Sequence, residues 1–178
     1  YYNKNTSAFI ERSRAADMNQ AYDRFLPLIP SGARLLDAGC GAGRDAKYFI
    51  EQGFVVEAFD ASSELVKFAS GHTGIEVQHL RFEQLEYSNE FDAVWACASL
   101  LHVPKDDIHG VLQRLVRALK VGGVLYFSVK ARASGSPASG RRFYYYTIIE
   151  LEQLLLSRED VVILDTWTNE KEGCVWVN

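Results

Sequence analysis

Apolar residues recur along this chain in two alternating rhythms. Near the start, Ala8, Phe9, Ala15, Ala16, Met18, Tyr22, Phe25 and Leu28 fall at roughly helical spacing. That predicts one or two helices, ended by Pro30 and Gly32. RLLDAG then reads as a short buried strand and RDAKYFIEQG as a helix closed by Gly53. FVVEAFD is a second strand, rich in β-branched and aromatic residues. SSELVKFASG is predicted as a helix capped by Ser62 or Ser63, with an acid in its first turn and Gly71 at its end. IEVQHL gives a third strand. FDAVWACAS gives a fourth, nearly all apolar, as expected for a strand covered on both faces. Ile108, Val111, Leu112, Leu115, Val116 and Leu119 then form one apolar helical stripe, and KVGG leads into a fifth strand, VLYFSVK.

Alternating strands and helices imply right-handed crossovers and a sheet with helices on both faces. The expected fold is α/β, doubly wound, with a mostly parallel sheet of seven strands whose last strand is antiparallel. After strand five the pattern changes. ARASGSPASGRR is small, polar and basic, which predicts a mobile loop. FYYYTIIELEQLLLS is a helix approached through four aromatics, and VVILDTWT and GCVWVN form a closing strand pair joined by NEKEG. The last strand is expected to run on past Asn178. A single domain results, with residues 1–30 as a helical cap, 31–130 as a ligand-binding core, 131–146 as the loop and aromatic approach, and 147–178 as the closing helix and strands.

Composition narrows the function classes. A length of 178 residues suits one domain with a full core, and 48% hydrophobic against 24% charged residues is an ordinary globular balance. No apolar run approaches the roughly 20 residues needed to cross a bilayer. YYNKNTSAF lacks the layout of a signal peptide, so a cytoplasmic location is expected. Cys40, Cys97 and Cys174 show no CxxC pairing, and the four histidines show no HExxH pattern, so neither a disulfide framework nor a metal site is expected. A net charge of −4 without a long basic block disfavours an extended nucleic-acid surface.

The densest chemical signal is LLDAGCGAGRD. A dinucleotide fingerprint, G-x-G-x-x-G, would place its third glycine at Arg44; the chain instead has Gly39, Gly41 and Gly43. Gly43 is read as keeping the turn bare, so that backbone can approach a ligand lacking a diphosphate. Asp37, at the strand end, suits a cationic ammonium group; opposite charges about 4 Å apart in a partly shielded site are worth a few kcal/mol before desolvation. Asp60 ends the second strand, where a carboxylate can accept hydrogen bonds from two ribose hydroxyls. The ligand then carries an amino group, a ribose and an adenine, with no obligatory phosphate.

LLDAGCGAGRD, VEAFDAS, FDAVWACASLLHVP and LKVGGVLYFSVK, in that order over residues 30–130, resemble the successive motifs of class I S-adenosylmethionine-dependent methyltransferases. GCGAGRDA with WACASLLHVP is similar, more narrowly, to the small bacterial tellurite-resistance (TehB-type) branch. The resemblance implies S-adenosylmethionine as cofactor and S-adenosylhomocysteine as product. It implies that Asp37 and the loop Gly39, Cys40 and Gly41, closed by Gly43 and Arg44, hold the methionine part. Asp60 would take the ribose, and Ala61 and Ser62 the adenine edge. Where the family often has an acid and a small apolar residue near the adenine amino group, this chain has Arg81 and Phe82; Phe82 can offer its backbone N–H and its ring. Ala96, Cys97 and Ala98 would lie beneath the sugar and sulfonium. The family's proline before strand five is replaced by Val121.

Methyl transfer from a sulfonium is an in-line displacement that needs alignment more than a catalytic triad. A base is required only for acceptors that must lose a proton. His102, just after strand four, is the candidate base, with a satisfied loop histidine as the alternative. Cys97 reads as a small buried residue rather than a nucleophile. Arg12, Arg14, Arg141 and Arg142, with Tyr144, Tyr145 and Tyr146, would form a cationic, aromatic mouth for a small anion or a polarizable acceptor. ACASLLHVP lacks the Asp/Asn-Pro-Pro-aromatic signature of nucleic-acid amino methylation. Small-molecule methyl transfer is the expected function. A non-catalytic cofactor-binding module, or methylation of protein or RNA, is the alternative.

Overall fold

The computed structural model describes residues 6–131, 142–171 and 173–178. Two N-terminal helices, α1 (Thr6–Arg14) and α2 (Asn19–Phe25), precede the sheet. Then follow β1 (Arg34–Ala38), α3 (Arg44–Glu51), β2 (Val55–Asp60), α4 (Ser63–Thr73), β3 (Gln78–His79), β4 (Phe91–Ala96), α5 (Ile108–Ala118) and β5 (Leu119–Phe127). The five strands are parallel in the order β3-β2-β1-β4-β5. The winding direction therefore reverses between β1 and β4, and the crevice beyond their carboxyl ends is where open α/β sheets bind ligands.

Period-two alternation divides the core between the two faces. Leu36, Ala38, Val94 and Ala96 pack with α5, whereas Leu35, Ala93 and Trp95 pack with α2 and α3. Both sets are buried, which explains why β4 reads as one continuous apolar run. The α5 stripe buries Ile108, Val111, Leu112 and Leu115, with Val116 half-buried. Trp95 is fully buried and stacks on Tyr126 with ring centres 3.9 Å apart.

Several expectations change. Helix α4 does not stop at Gly71; it runs to Thr73 and is closed by Gly74, whose φ of 79° is the one that releases the helix. The third strand shrinks to two residues. The seven-stranded sheet becomes a five-stranded parallel sheet and a separate three-stranded antiparallel one, β6 (Val129–Lys130), β8 (Cys174–Val177) and β7 (Thr168–Lys171), in the order β6-β8-β7. Ser128 makes the break between β5 and β6. Its hydroxyl accepts from the Ala98 N–H at 2.9 Å, which ties the chain to the loop after β4. VVILDTWT pairs only at its end, leaving Val162 and Leu164 82% and 64% exposed. Most of the predicted NEKEG turn is strand β7 itself. Helix α6 (Ile148–Leu156) begins at Thr147, whose side chain accepts from the Glu150 N–H, and the four preceding aromatics are non-helical. The predicted loop at 132–141 lies outside the described residues.

Candidate active site

The loop after β1 is anchored before any ligand is considered. The N–H groups of Gly39 and Cys40 donate to the Phe59 carbonyl at 3.0 and 2.9 Å, and that of Gly41 to Asp60 Oδ2 at 2.9 Å. Each glycine answers to a different neighbour. A β-carbon at Gly39 (φ +78°) would lie 2.6 Å from Cβ of Ser99, in the loop after β4. One at Gly41 would stand 3.1 Å from the Phe9 ring of α1. One at Gly43 (φ +76°) would meet Thr73 of α4 at 2.8 Å. Gly43 therefore serves close packing of α3 on α4.

Two carboxylates border this loop. Asp60 accepts from the Ser62 N–H at 2.8 Å through Oδ1 as well as from Gly41 through Oδ2, so one lone pair on each oxygen is already engaged. Burial raises its pKa. Asp37 is 2% exposed, and its Oδ2 has no hydrogen-bond partner. Burial first, and the nearby Asp45 charge second, hold the Asp37 carboxyl well above the ordinary range. Only three buried side-chain polar atoms among the described residues lack a partner: Asp37 Oδ2, Ser99 Oγ and the Tyr146 hydroxyl. The first two flank Gly39, one beneath it and one across from it.

Sequence reading missed the support under this loop. Asp45 is buried and accepts from Arg44 Nε at 2.6 Å, Arg44 Nη2 at 2.8 Å, Trp95 Nε1 at 2.9 Å and the Tyr22 hydroxyl. Burial opposes the Asp45 charge, but the Arg44 guanidinium and these donors hold its pKa below the ordinary value. Arg44 also donates to the Ser13 carbonyl at 3.1 Å, fastening α1 over the loop. It is thus committed to Asp45 and Ser13 rather than presented to a ligand, and acts on the loop as an anchor. An Asp directly after a loop Arg, at the first turn of a helix, was the only local hint of this network.

On the other side of the crevice, Ala96 is fully buried in the core. Burial pushes the Cys97 thiol up to about 12, so it is no thiolate nucleophile at neutral pH. Ala98 has φ +51°, a left-handed conformation that a residue with a β-carbon adopts only when its surroundings impose it. The half-buried Phe82 ring lies edge-on to Phe59, 3.6 Å from where a Gly39 β-carbon would stand. Ala61 is exposed, and the Ser62 hydroxyl caps α4 by accepting from the Leu65 N–H.

His102 lies in a short 3-10 turn (Leu100–His102) after β4. Its Nδ1 is 3.2 Å from the Arg142 carbonyl, and its ring centre lies 5.2 Å from that of Phe143. The Tyr144 N–H donates to the Leu101 carbonyl at 2.9 Å and the Tyr146 N–H to the Lys130 carbonyl at 3.1 Å. The aromatic segment therefore bridges the loop after β4 to β6, with Tyr144 and Tyr145 half-buried. Of the four arginines of the expected mouth, Arg142 adjoins this segment and its carbonyl meets His102. Arg12 and Arg14 are exposed on α1, and the Arg14 charge bears on His72 of α4, away from this segment. Arg141 lies outside the described residues.

The chain that forms this crevice, with a glycine loop on one side and a strained loop on the other, matches a known domain. The family model for a methyltransferase domain fits residues 10–158. The chain belongs to the methyltransferase-domain family. A ubiquinone biosynthesis O-methyltransferase of Xanthomonas axonopodis pv. citri is 37% identical over 112 residues, covering 59% of this chain and 46% of that protein. The chain thus spans about half the length of the curated relatives it matches. Among solved structures, the 1,6-didemethyltoxoflavin-N1-methyltransferase of Burkholderia thailandensis, with bound 1,6-didemethyltoxoflavin and S-adenosylhomocysteine, superposes with a TM-score of 0.78. The match has 24% identity and covers 98% of this chain and 84% of that one. The magnesium protoporphyrin IX methyltransferase of Synechocystis PCC 6803 gives 0.75 at 17% identity, over 99% and 95%. The [4+2]-cyclase SpnF is also similar, at 0.61 and 27% identity over 81% and 60%, so this methyltransferase-type fold also serves other chemistry. No helix among the described residues is long and apolar enough to cross a membrane.

Proposed function

We propose that this methyltransferase domain binds S-adenosylmethionine at the β1–β4 switch point and methylates a small-molecule acceptor delivered from the His102 side. The observation that carries this reading is the unpartnered Oδ2 of Asp37. A buried carboxylate oxygen without a donor is costly, and a cationic ligand group supplies what is missing. The surroundings suit a cation, since the Asp45 and Asp60 charges both bear on Asp37, with Arg44 opposing them. Asp60 retains accepting capacity for a ribose hydroxyl beyond its backbone donors, and Phe82 offers a ring beside Gly39. These residues fit the cofactor's ammonium, ribose and adenine.

When bound, the cofactor supplies a methyl carbon on a sulfonium: the acceptor's lone pair forms the new bond as the C–S pair returns to sulfur, leaving S-adenosylhomocysteine. The chain's own task is alignment and, for a hydroxyl acceptor, removal of one proton. We assign that proton to His102. In the neutral ring, Nδ1–H donates to the Arg142 carbonyl, which leaves Nε2 as the basic nitrogen. The curated relatives are ubiquinone biosynthesis O-methyltransferases, and this supports an oxygen acceptor such as a hydroxyl. The motifs shared with the tellurite-resistance branch support a second reading, a small oxyanion that needs no base.

Calorimetry of the chain with S-adenosylmethionine, S-adenosylhomocysteine and NAD tests the cofactor. Micromolar binding of the first two and none of the third is expected; no binding of the first two removes the reading. His102→Ala is expected to lower turnover of a hydroxyl acceptor with cofactor affinity unchanged. An unaltered rate makes His102 structural.

A further inference from the structure

At the carboxyl edge of the sheet, apart from the glycine loop, Lys130 ends β6 in an unusual setting. Its ammonium lies 4.7 Å from the ring centre of Phe143 and 5.3 Å from that of Trp176. Phe143 in turn packs 5.2 Å from His102 and 6.4 Å from Tyr145. Lys105 and Lys120 each hold a carboxylate at 2.8 Å and are nearly half exposed. Lys130 is also half-buried, yet among the described residues it has only aromatic rings for partners. Ring faces offset part of the lost hydration of an ammonium but leave its charge without a counter-ion.

The backbone holds this charge in place. The Lys130 carbonyl accepts from the Tyr146 N–H at 3.1 Å, and the next residue, Ala131, donates to the Val175 carbonyl at 2.9 Å. Two residues back, the Ser128 hydroxyl meets the Ala98 N–H at 2.9 Å and Cys97 Sγ at 3.6 Å, at the edge of the proposed cofactor crevice. Two residues of extended chain put Lys130 about 7 Å beyond that point. That spacing suits one aromatic ring with its reacting hydroxyl at the crevice and an acidic substituent at the far side.

We propose that Lys130 binds the anionic group of the methyl acceptor, a small flat organic acid whose body lies against Phe143 and His102. This deepens the methyl-transfer reading and rests on it. It adds to the expected arginine mouth a lysine that sequence reading passed over. Lys130 is a binding and specificity residue with no part in proton transfer.

The test compares 3,4-dihydroxybenzoate with catechol, the same hydroxylated ring with and without a carboxylate, by calorimetry on the full chain with and without saturating S-adenosylhomocysteine. The acid is expected to bind at least tenfold more tightly. Lys130→Met should abolish that preference while leaving catechol and S-adenosylhomocysteine affinities unchanged, and Lys130→Arg should retain most of it. Equal binding of the two rings, no binding of the acid, or a preference that survives Lys130→Met overturns the proposal. Failure of S-adenosylhomocysteine to bind the unaltered chain sinks the methyl-transfer reading instead, and the with-and-without comparison separates the two failures. Should Lys130→Met unfold the protein, Lys130→Gln and the salt dependence of the acid's affinity give the same reading, because only a charge pair weakens as ionic strength rises.

Discussion

Asp37 and Asp45 are both buried carboxylates, eight residues apart on either side of the glycine loop, yet they do opposite work. Beneath the loop, Asp45 has donors from Arg44, Trp95 and Tyr22, so its charge is compensated and its pKa lies low. At the loop itself, Asp37 keeps one oxygen unpartnered and its pKa lies high. A satisfied buried charge fixes architecture, whereas a half-satisfied one raises the energy of the empty site and lowers it again when a cation arrives. The rigid region holds the strained one in place.

That contrast can be broken most severely at Arg44. Arg44→Met leaves the Asp45 charge uncompensated and is expected to destabilise the fold by about 3–5 kcal/mol, read from urea unfolding. A loss below about 1 kcal/mol means that the network is not the support described here. Asp37→Asn should do the reverse. Stability should stay level or rise, while S-adenosylmethionine affinity should fall about tenfold or more, the scale of one charge-assisted hydrogen bond. Reduced stability with unchanged affinity would assign Asp37 to the scaffold.

Asp60 lies between the two cases, because it anchors the loop through Gly41 and also faces the crevice. Asp60→Ala is expected to weaken cofactor binding by about tenfold, with a smaller loss of stability. Unchanged affinity removes the ribose assignment.

The smallest effect is on pH dependence, and its sign separates the pair. Asp37 titrates above its unfolded value of 3.8, so its contribution to stability is fully present below that value and is lost as the pH rises through the folded pKa. Asp45 titrates below 3.8, so its contribution is present above 3.8 and is lost as the pH falls through the folded pKa. Asp37→Asn should therefore flatten the high-pH side of the stability profile and leave the acid side alone. Cofactor binding should release a proton from Asp37 where it is still protonated. Calorimetry in two buffers of different ionisation enthalpy measures that release.

Much of this was written locally. The alternating strands and helices, the α5 stripe, the Ser62 cap and the glycine loop each depend on neighbours within a few residues, and periodicity records them directly. The order of those elements was enough to suggest the family. Sequence also placed Asp37 and Asp60 near strand ends, because the end of a strand follows once its apolar run is known.

Tertiary structure decided the rest. Asp45 owes its setting to Tyr22 and Trp95, far away on either side in the chain. Gly43 belongs to helix packing because α4 presses on it, which no local spacing encodes. Ser128 divides the sheet because the loop after β4 claims its hydroxyl. Lys130 becomes a cation between Phe143 and Trp176 only when β8 and the aromatic segment close around it. Apolar periodicity reports which face of an element is buried. Charge compensation, close approach and ring contacts depend on what lies opposite that face, and only the folded chain supplies that partner.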